Sequence, residues 1–207
     1  MRIDRELPTS SNLPSLPERM QRICVYCASN LGVRDAYAEA ARDLAAVLVE
    51  DGYELVYGGS STGIMGVLAD AVLQRGGTVH GVIPELLLDK EISHQGLSEL
   101  HVVKTMHERK SLMESLSDGF VALPGGFGTL EELVEILTWG QLHIHAKPVG
   151  LINVAGYFDG LIAYLDHAVA EGLLPKASRD MLHCATEPAK LVQEFKSYQP
   201  PTTDKWM

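Results

Sequence analysis

The sequence predicts an α/β protein with an open, mostly parallel sheet of about seven strands and helices on both faces. Short apolar runs of strand length alternate along the chain with runs whose apolar residues recur at helical spacing. This alternation is typical of a parallel sheet whose connecting helices cover both sides. In addition, two glycine-rich turns follow strand-like runs, where such sheets bind ligands. Together these observations favour a Rossmann-like architecture.

Seven short apolar segments are the strand candidates, and each is separated from the next by a longer amphipathic or polar stretch. In chain order they are Ile23 to Cys27, Glu54 to Tyr57, Val79 to Ile83, His101 to Lys104, Phe120 to Leu123, Val149 to Asn153 and Met181 to Ala185. Their spacing is that expected of strands joined by crossover helices.

The intervening segments carry apolar residues three and four positions apart, which predicts amphipathic helices. Gly76, Gly77 and Gly172 are suited to ending them. The early helical positions are Tyr37, Ala40, Ala41, Leu44 and Leu48, then Ile64, Leu68 and Val72, then Leu112 and Leu116; later helices are expected from Thr129 to His143, Tyr157 to Glu171 and Pro188 to Tyr198.

A length of 207 residues corresponds to one α/β domain. We expect that domain to span residues 22–198, after a flexible lead at residues 1–21 and before a loose tail at residues 199–207. The lead contains Pro8, Pro14 and Pro17 but no apolar stretch long enough for a signal peptide or a membrane span. A cytoplasmic protein without a membrane partner is therefore expected.

The formal net charge of −10 and the isoelectric point near 5.2 argue against a nucleic-acid partner, which needs a basic face. A small anionic ligand remains compatible with this charge, because local backbone amides and a few basic side chains can outweigh it. The overall charge bears mainly on solubility.

Three cysteines are an odd number for a disulfide framework, so reduced thiols are expected at Cys24, Cys27 and Cys184. The first two have the spacing of a redox or metal half-site. However, both fall in a strand-like run, where a separation of three places them on opposite faces of the sheet. We interpret them as packing residues.

Two further motifs resemble functional sites but lack the required partners. His143-Ile144-His145 has no Cys or carboxylate at a matching spacing, and the sequence has no His-Glu-x-x-His motif. Ser60-Ser61-Thr62 is not a nucleophile elbow, because it does not meet the pattern Gly-x-Ser-x-Gly. The sequence therefore predicts no metal and no cofactor.

The most informative segment is residues 124–132, Pro-Gly-Gly-Phe-Gly-Thr-Leu-Glu-Glu, between a predicted strand and a helix expected to begin at Thr129. Its three glycines allow positive φ and a close approach of the backbone to a ligand, while the helix start offers unpaired N–H groups. The segment matches neither Gly-x-Gly-x-x-Gly nor Gly-Lys-Ser/Thr. We expect an anion, and specifically a phosphate, to bind there.

Two carboxylates, Glu131 and Glu132, are expected in the first turn of that helix, where they would compete with a phosphate for the N–H donors. One interpretation is a capping box, in which Thr129 caps the helix and Glu132 reaches back to the threonine N–H. The other gives Glu132 a catalytic role, with its carboxylate directed at the rest of the ligand. This segment alone leaves both open.

A basic pair, Arg109 and Lys110, lies between the two glycine-rich turns in the segment Met-His-Glu-Arg-Lys at residues 106–110. Positive charge at a helix start opposes the helix dipole, so the pair is not there to stabilise the helix. The loops at residues 28–30 and 58–66 are expected at the same edge of the sheet. Arg109 could clamp a phosphate or a base and Lys110 could add a point charge, the alternative being a solvated basic pair.

These two motifs, separated by 23 residues from Arg109 to Glu132, resemble the Lonely guy (LOG) family of cytokinin riboside 5'-monophosphate phosphoribohydrolases. The likeness covers most of residues 22–195. Sequences of this kind have also been labelled lysine decarboxylases, but no lysine in the context of a pyridoxal site is evident. The other matching segments are Val25-Tyr26-Cys27-Ala28-Ser29, Tyr57-Gly58-Gly59, Gly63-Ile64-Met65-Gly66 and Lys147-Pro148-Val149-Gly150-Leu151.

The resemblance implies hydrolysis of the N-glycosidic bond of an N6-modified adenosine 5'-monophosphate, which gives free base and ribose 5-phosphate. It implies a homodimer with sites near the dimer interface, and Arg109 and Glu132 as the catalytic pair. The implied nucleotide contacts are Glu91, Lys110, Gly126, Phe127, Gly128, Thr129, Leu130, Glu131 and Thr138. A dimer contact is expected on the helix faces around Leu112 to Leu116 and Leu133 to Leu142.

The reaction explains why this pair of residues is suitable. Breaking the C1'–N9 bond builds positive charge on the ribose and negative charge on the departing purine. Glu132 is expected to stabilise the ribose cation and to orient or activate water, as in glycoside hydrolysis, and Arg109 to hold the nucleotide and support the purine. Two alternatives stay open: a broader nucleosidase acting on AMP and other purine nucleotides, and a nucleotide-binding or carrier protein of the same fold without hydrolysis.

Overall fold

A computed structural model describes residues 20–88 and 93–200. Its strands are β1 Arg22–Tyr26, β2 Glu54–Tyr57, β3 Val79–Pro84, β4 Glu99–Val103, β5 Gly119–Ala122, β6 Val149–Ile152 and β7 Leu182–Ala185. They form one parallel sheet in the order β4-β3-β2-β1-β5-β6-β7. All seven predicted strands are confirmed, each within two residues of its expected bounds.

The described helices alternate with the strands as predicted. They are α1 Asp35–Glu50, α2 Gly63–Gln74, α3 Glu85–Leu88, α4 Met106–Leu116, α5 Phe127–Gln141, α6 Asp159–Ala170, α7 Lys176–Arg179 and α8 Pro188–Lys196, with a 3₁₀ turn at Val154–Gly156. The single-turn helices α3 and α7 were not predicted, because four residues are too few to show a helical period. Within the described ranges, none of the helices has the length and apolar composition that a membrane span requires.

Two apolar cores lie on opposite faces of the sheet. Leu44 of α1 and Leu68 of α2 are fully buried in one core, whereas Met113 of α4 and Leu133 of α5 are buried in the other. This arrangement confirms helices on both faces. It also explains why the central strands are almost entirely apolar, since a parallel sheet that is covered on both sides buries the side chains of both faces.

The two cysteines of the first strand region confirm the predicted alternation. Cys24 packs into the core beneath α4 and α5, and Cys27 packs into the core beneath α1 and α2. Burial, reinforced by the negative charge of Glu132, raises the pKa of both thiols far above the ordinary range. Both therefore remain protonated packing residues, because a neutral thiol is the form that a desolvated site favours.

The strand order reverses beside β1, which has β2 on one side and β5 on the other. The chain builds one half of the sheet outward from β1 to β4 and the other half outward from β5 to β7. The connections that leave β1 and β5 diverge at this reversal and open a crevice at the carboxyl edge of the sheet. Open α/β sheets bind their ligands in this crevice.

Candidate functional site

A cavity of about 220 Å³ occupies the crevice between the ends of β1 and β5. It is lined by Cys27, Ala28, Ser29 and Asn30 from the loop after β1, Met65 of α2, Arg109 of α4, and Gly126, Phe127, Gly128, Thr129 and Glu132 around the start of α5. The fold thus brings Arg109 and Glu132 to one cavity, together with most of the glycine-rich turn.

Hydrogen bonds tie the loops around the cavity to one another. The Ala28 N–H donates to the Pro124 carbonyl at 3.2 Å, and the Ala28 carbonyl accepts from the Met65 N–H at 3.2 Å. The Tyr157 hydroxyl donates to the Gly125 carbonyl at 2.7 Å. The cavity wall is therefore one connected backbone structure, which holds its polar groups in place before a ligand arrives.

The glycines of the turn do not have the role that the sequence predicted. None of Gly125, Gly126 and Gly128 takes a positive φ, so that expectation is wrong. Gly125 is required for close approach, because an added Cβ would overlap the Thr129 side chain. At Gly126 and Gly128 an added Cβ would meet no atom within 4 Å, so the backbone faces open space. These two glycines leave the start of α5 uncovered by side chains.

Helix α5 begins at Phe127, two residues before the predicted start, and its N-cap is Gly126 without a side-chain cap. Thr129 is therefore inside the helix, which makes the predicted capping box wrong. Glu131 and Glu132 fall in the second turn, and the first turn has no acidic residue. The first-turn N–H groups and the positive end of the helix dipole thus face the cavity without a carboxylate among them.

Arg109 is buried, with 6% of its surface exposed. Its Nε donates to the Val82 carbonyl at 3.1 Å, and its Nη2 donates to the Gly58 carbonyl at 3.2 Å. Gly58 is required here, because an added Cβ would overlap Nη2 of Arg109. These carbonyls fix the plane of the guanidinium, and an arginine has more N–H donors than they use.

The start of α4 is capped, which helps to position Arg109 at its fourth residue. Thr105 is the N-cap, and its hydroxyl accepts from the Glu108 N–H at 3.1 Å. The Glu108 carboxylate reaches back to the Lys104 N–H at 2.8 Å. Reciprocal capping by a threonine and a glutamate, expected at α5, is thus found at α4 in a related form.

Lys110 points away from the cavity, although it directly follows Arg109. Its ammonium group binds the carboxylates of Glu131 and Glu135 on α5, the second at 2.9 Å. Partial burial lowers the pKa of Lys110, but the two carboxylates raise it by more, so the net shift is upward. Lys110 and Glu131 therefore link α4 to α5, and neither lines the cavity in this chain.

Two other implied contacts, Leu130 and Thr138, are also absent from the cavity wall. Leu130 is half-buried and packs against the core beneath α4 and α5. The Thr138 hydroxyl donates to the Val134 carbonyl at 2.7 Å, and this threonine borders an apolar groove beside α6 and α7. Glu91 lies outside the described residues. Of the predicted site residues, Arg109, Gly126, Phe127, Gly128, Thr129 and Glu132 share the cavity.

Sequence reasoning did not include Ser29, Asn30 and Met65 among the site residues. All three line the cavity. The available signal was the position of Ser29 and Asn30 directly after a predicted central strand, where ligands bind in such sheets. Met65 carried a similar signal, because it lies in the glycine-rich loop at residues 58–66 that is expected at the same edge.

His145 has a structural role that its position in the histidine motif did not reveal. Its Nε2 donates to the Ile136 carbonyl at 2.8 Å, and its Nδ1 accepts from the Lys147 N–H at 3.1 Å. Burial lowers the pKa of His145, with a smaller opposing effect from the Ile136 hydrogen bond. The neutral ring thus joins the end of α5 to the segment before β6.

An uncapped helix start, a buried guanidinium and a carboxylate surround one cavity at the reversal point of a parallel sheet. This fold and site define an α/β protein with a crevice at the carboxyl edge of its sheet, the place at which open parallel sheets bind their ligands. A family model described as "Possible lysine decarboxylase" matches residues 65–195.

The chain is 50% identical over 182 residues to a probable cytokinin riboside 5'-monophosphate phosphoribohydrolase of Oryza sativa subsp. japonica, covering 88% of this chain and 80% of the relative. It is 48% identical over 182 residues to a cytokinin riboside 5'-monophosphate phosphoribohydrolase of Arabidopsis thaliana, with the same two coverages. The chain belongs to this family, the LOG family, which confirms the predicted resemblance.

Solved structures of more distant proteins share the fold. The molybdenum cofactor binding protein of Rippkaea orientalis superposes with a TM-score of 0.65 at 20% identity, over 87% of this chain and 98% of that chain. The molybdenum cofactor carrier protein of Chlamydomonas reinhardtii has a TM-score of 0.63 at 22% identity, over 87% of this chain and 100% of that chain. At this identity the likeness shows the architecture alone.

The decarboxylase description finds no support in the cavity. Pyridoxal-dependent decarboxylation uses a lysine that forms a Schiff base with the cofactor. The described residues that line the cavity include no lysine. Lys110, the lysine nearest in sequence to Arg109, is bound by two carboxylates on α5.

Proposed function

We propose that this protein hydrolyses the N-glycosidic bond of N6-modified adenosine 5'-monophosphates, the cytokinin nucleotides, and releases free base and ribose 5-phosphate. The observation that carries this proposal is the placement of Arg109, Glu132 and the start of α5 around one cavity in a chain of the LOG family. The protein is accordingly an N-glycosyl hydrolase, or phosphoribohydrolase.

The 5'-phosphate binds at the start of α5. Gly126 and Gly128 leave the backbone open, and the first turn contains no carboxylate that would compete for its N–H groups. Thr129 lines the cavity from the same turn and adds a hydroxyl. A helix of 15 residues also contributes the positive end of its dipole at this point.

Arg109 holds the purine side of the nucleotide and stabilises the negative charge that develops on it. Its buried guanidinium is fixed by two carbonyl groups, so it does not have to reorganise when the bond breaks. An arginine is too basic to act as an ordinary proton donor near neutral pH. Its contribution is therefore electrostatic and positional.

Glu132 stabilises the positively charged ribose and orients the attacking water. It lies in the second turn of α5, on the same helix whose start binds the phosphate, so one rigid element sets the distance between the two. A carboxylate beside an oxocarbenium-like ribose lowers the energy of the transition state more than that of the ground state. The electron pair of the broken bond leaves with the purine, water supplies the hydroxyl group at C1', and the remaining proton of that water ends on the purine, which is released as the neutral base.

The protein acts as a homodimer whose contact surface includes the exposed face of α5. Val134 and Leu142 on this helix are exposed apolar residues, whereas Leu112 and Leu116 of α4 pack against the core. Thr138 lies on the same helix and outside the cavity of its own chain. Light scattering after gel filtration tests this state, with a dimer expected and a monomer contradicting it.

The enzyme works in the cytoplasm on a small-molecule substrate, without a nucleic-acid or membrane partner. The free thiols of Cys24, Cys27 and Cys184 and the acidic composition support this assignment. Fractionation of cells that express the full chain tests the location, with the protein expected in the cytosolic fraction.

Parallel incubations with AMP and with N6-isopentenyl-AMP test the activity, with chromatography of the free base and an assay for ribose 5-phosphate. Cleavage of the modified nucleotide, with little or none of AMP, is expected. Equal cleavage of both indicates the broader nucleosidase, and cleavage of neither indicates a binding or carrier protein. For the variant Glu132→Gln, the matched control is Glu135→Gln. Glu135 is a carboxylate one turn further along α5, and it does not line the cavity.

A further inference from the structure

A second group of chemically active side chains lies at the opposite edge of the sheet, where the strands begin. Glu99 and His101 are two residues apart on β4, so they project from the same face. The parallel register pairs His80 of β3 with Glu99. His80 thus meets Glu99 and His101 on the outer pair of strands, although it lies 19 residues before Glu99 in the chain.

The ligand atoms of this group are close together. His80 Nδ1 lies 3.2 Å from Glu99 Oε2, and His101 Nε2 lies 3.5 Å from Glu99 Oε1. All three ligand atoms fall within 4.8 Å of one another. Ligand atoms on one tetrahedral zinc ion lie about 3.3 Å apart, because each bond is about 2.0 to 2.2 Å long. The separations of 3.2 and 3.5 Å, which run to the two different oxygens of Glu99, are already close to this value.

His101 Nε2 is a buried atom that makes no hydrogen bond within the described residues. A buried polar nitrogen without such a bond is costly, so its position calls for a partner that the described residues do not provide. The side chain as a whole is 23% exposed and that of Glu99 is 56% exposed. A small rotation of the His101 and Glu99 side chains can therefore bring the three ligand atoms to the separations that one metal ion requires, without disturbing the core.

The second ring nitrogen of His80, Nε2, has a hydrogen-bond partner of its own. Nε2 lies 2.9 Å from Glu54 Oε2, and the same carboxylate oxygen accepts a hydrogen bond from Arg22 Nε at 2.7 Å. Metal-binding histidines commonly donate their second N–H to a carboxylate, which fixes the tautomer and the ring orientation. With its proton on Nε2, His80 presents the lone pair of Nδ1 to Glu99 and His101.

We propose that His80, Glu99 and His101 bind one divalent cation of the zinc class and that Glu54, held by Arg22, orients the His80 ring. Two imidazoles and one carboxylate are an established donor set for zinc, with water as the remaining ligand. The ion ties the edge strand β4 to β3. It lies at the edge of the sheet away from the cavity with Arg109 and Glu132, so the inference does not rest on the proposed hydrolysis.

A competing arrangement uses the same residues without a metal. A doubly protonated His80 would donate one N–H to Glu54 and the other to Glu99, as a charged ladder across the strands. That arrangement leaves the buried Nε2 of His101 without a hydrogen-bond acceptor of good geometry. Metal binding, by contrast, gives all three ligand atoms a partner.

Cobalt titration of the full chain, without a histidine tag and after removal of metals with a chelator, tests this inference. Co²⁺ in a site of low coordination number gives strong visible absorption bands, and Zn²⁺ should displace it. One equivalent per chain is expected, with a rise in Tm when Zn²⁺ is added. Absence of stoichiometric binding overturns the inference, as do the absorption bands of thiolate ligation.

Variants distinguish this site from adventitious binding. His101→Gln and Glu99→Gln should each abolish stoichiometric binding, while Glu54→Gln should weaken it by about 10- to 100-fold through the His80 ring. The control is His183→Gln, since His183 also pairs with a carboxylate, Glu194, but at β7. Circular dichroism monitors folding, and Glu99→Gln changes the more exposed side chain. Binding that survives both ligand substitutions overturns the inference.

Discussion

The two edges of the sheet use charged residues in opposite ways. At the carboxyl edge, Arg109 is held by the carbonyls of Val82 and Gly58, which fix the guanidinium without neutralising its charge. At the amino edge, Glu54 lies between Arg22 and His80, so that opposite charges meet from strand to strand. The charge of Arg109 therefore has no neutralising partner in these two contacts, whereas the charges of Arg22 and Glu54 are paired with each other.

The cost of burying a charge explains the difference. A buried ion must be hydrogen-bonded or paired, because its loss of hydration is otherwise too unfavourable. Neutral carbonyls provide the hydrogen bonds that the buried guanidinium of Arg109 requires, and they leave its positive charge available in the cavity. Carboxylates meet the same requirement at the amino edge, and they also cancel the charge. The choice of partner therefore distinguishes a cation whose charge stays available in the cavity from a charge that is paired across strands.

The largest expected effect comes from removing the negative charge in the cavity. Glu132→Gln should lower turnover of the nucleotide by about a hundredfold or more, the scale of one preorganised electrostatic group, and should leave AMP binding nearly intact. Single-turnover kinetics and calorimetry measure the two quantities separately. Glu135→Gln is the matched control, and turnover that stays unchanged in Glu132→Gln rejects the catalytic role.

Removing the cation at the same edge should have the next largest effect. Arg109→Ala should weaken nucleotide binding and turnover by about 10- to 100-fold each, since charge-assisted hydrogen bonds contribute about 1.5 to 3 kcal/mol. Arg109→Lys retains the charge but loses the planar fork, so it should recover only part of the activity. If Arg109→Ala alters neither quantity, the guanidinium has only a structural role.

The amino edge should respond to pH through Glu54. The hydrogen bond from Arg22 lowers the pKa of this carboxyl despite the opposing effect of burial, and His80 lowers it further. A lowered folded-state pKa means that the stabilisation is present above the unfolded pKa and is lost as the pH falls through the folded pKa. Glu54→Gln should therefore have a lower Tm than the unmodified chain at neutral pH, and its Tm should fall less when the pH is lowered. Thermal unfolding with chelator present measures this, and an unaltered pH profile contradicts it.

Glu171→Gln is the control for that experiment, because this glutamate is exposed after α6 and makes no ion pair among the described residues. Its Tm should follow the same pH profile as the unmodified chain. If Tm falls by the same amount on acidification in Glu54→Gln and in Glu171→Gln, the overall charge of the protein sets the acid sensitivity, rather than the contacts of Glu54 with Arg22 and His80.

The smallest effect is expected at Lys110, which lies near the cavity but pairs its charge as the amino edge does. Lys110→Met should lower the free energy of unfolding by about 1 kcal/mol, because the two carboxylates that lose their partner, Glu131 and Glu135, are 53% and 28% exposed and keep contact with water. Urea unfolding measures the stability, and steady-state kinetics should show little change in turnover. A large loss of nucleotide binding would return Lys110 to the site, as the family resemblance implies.

The strands could be predicted because their signal is local. An apolar run between turns identifies a buried strand wherever the run occurs, and all seven strands were found in this way. The start of α5 was placed two residues too late, because a threonine and a glutamate three residues apart suggested a cap. In the structure the N-cap position of α5 is Gly126, which has no side chain to cap the helix. A pattern of residues alone could not distinguish these two starts.

That Arg109 and Glu132, the pair proposed for catalysis, share one cavity was predictable, but the surrounding contacts were only partly so. Arg109 and Glu132 share the cavity as expected, while Lys110, Leu130 and Thr138 face elsewhere. Successive residues on a helix point about 100° apart, so a motif includes residues that face the ligand and residues that face the protein. The contributions of Ser29 and Met65 depended on which loops meet at the reversal point of the sheet.

The sequence by itself determined the α/β class and the strands, because both depend on composition and spacing along the chain. Its likeness to the LOG family supplied the family and the two residues proposed for catalysis. The tertiary structure decided that Arg109 faces the cavity while Lys110 binds Glu131 and Glu135. It also brought His80 beside Glu99 through the pairing of β3 and β4. Such proximity depends on helix orientation and strand register, which arise only when distant segments pack together.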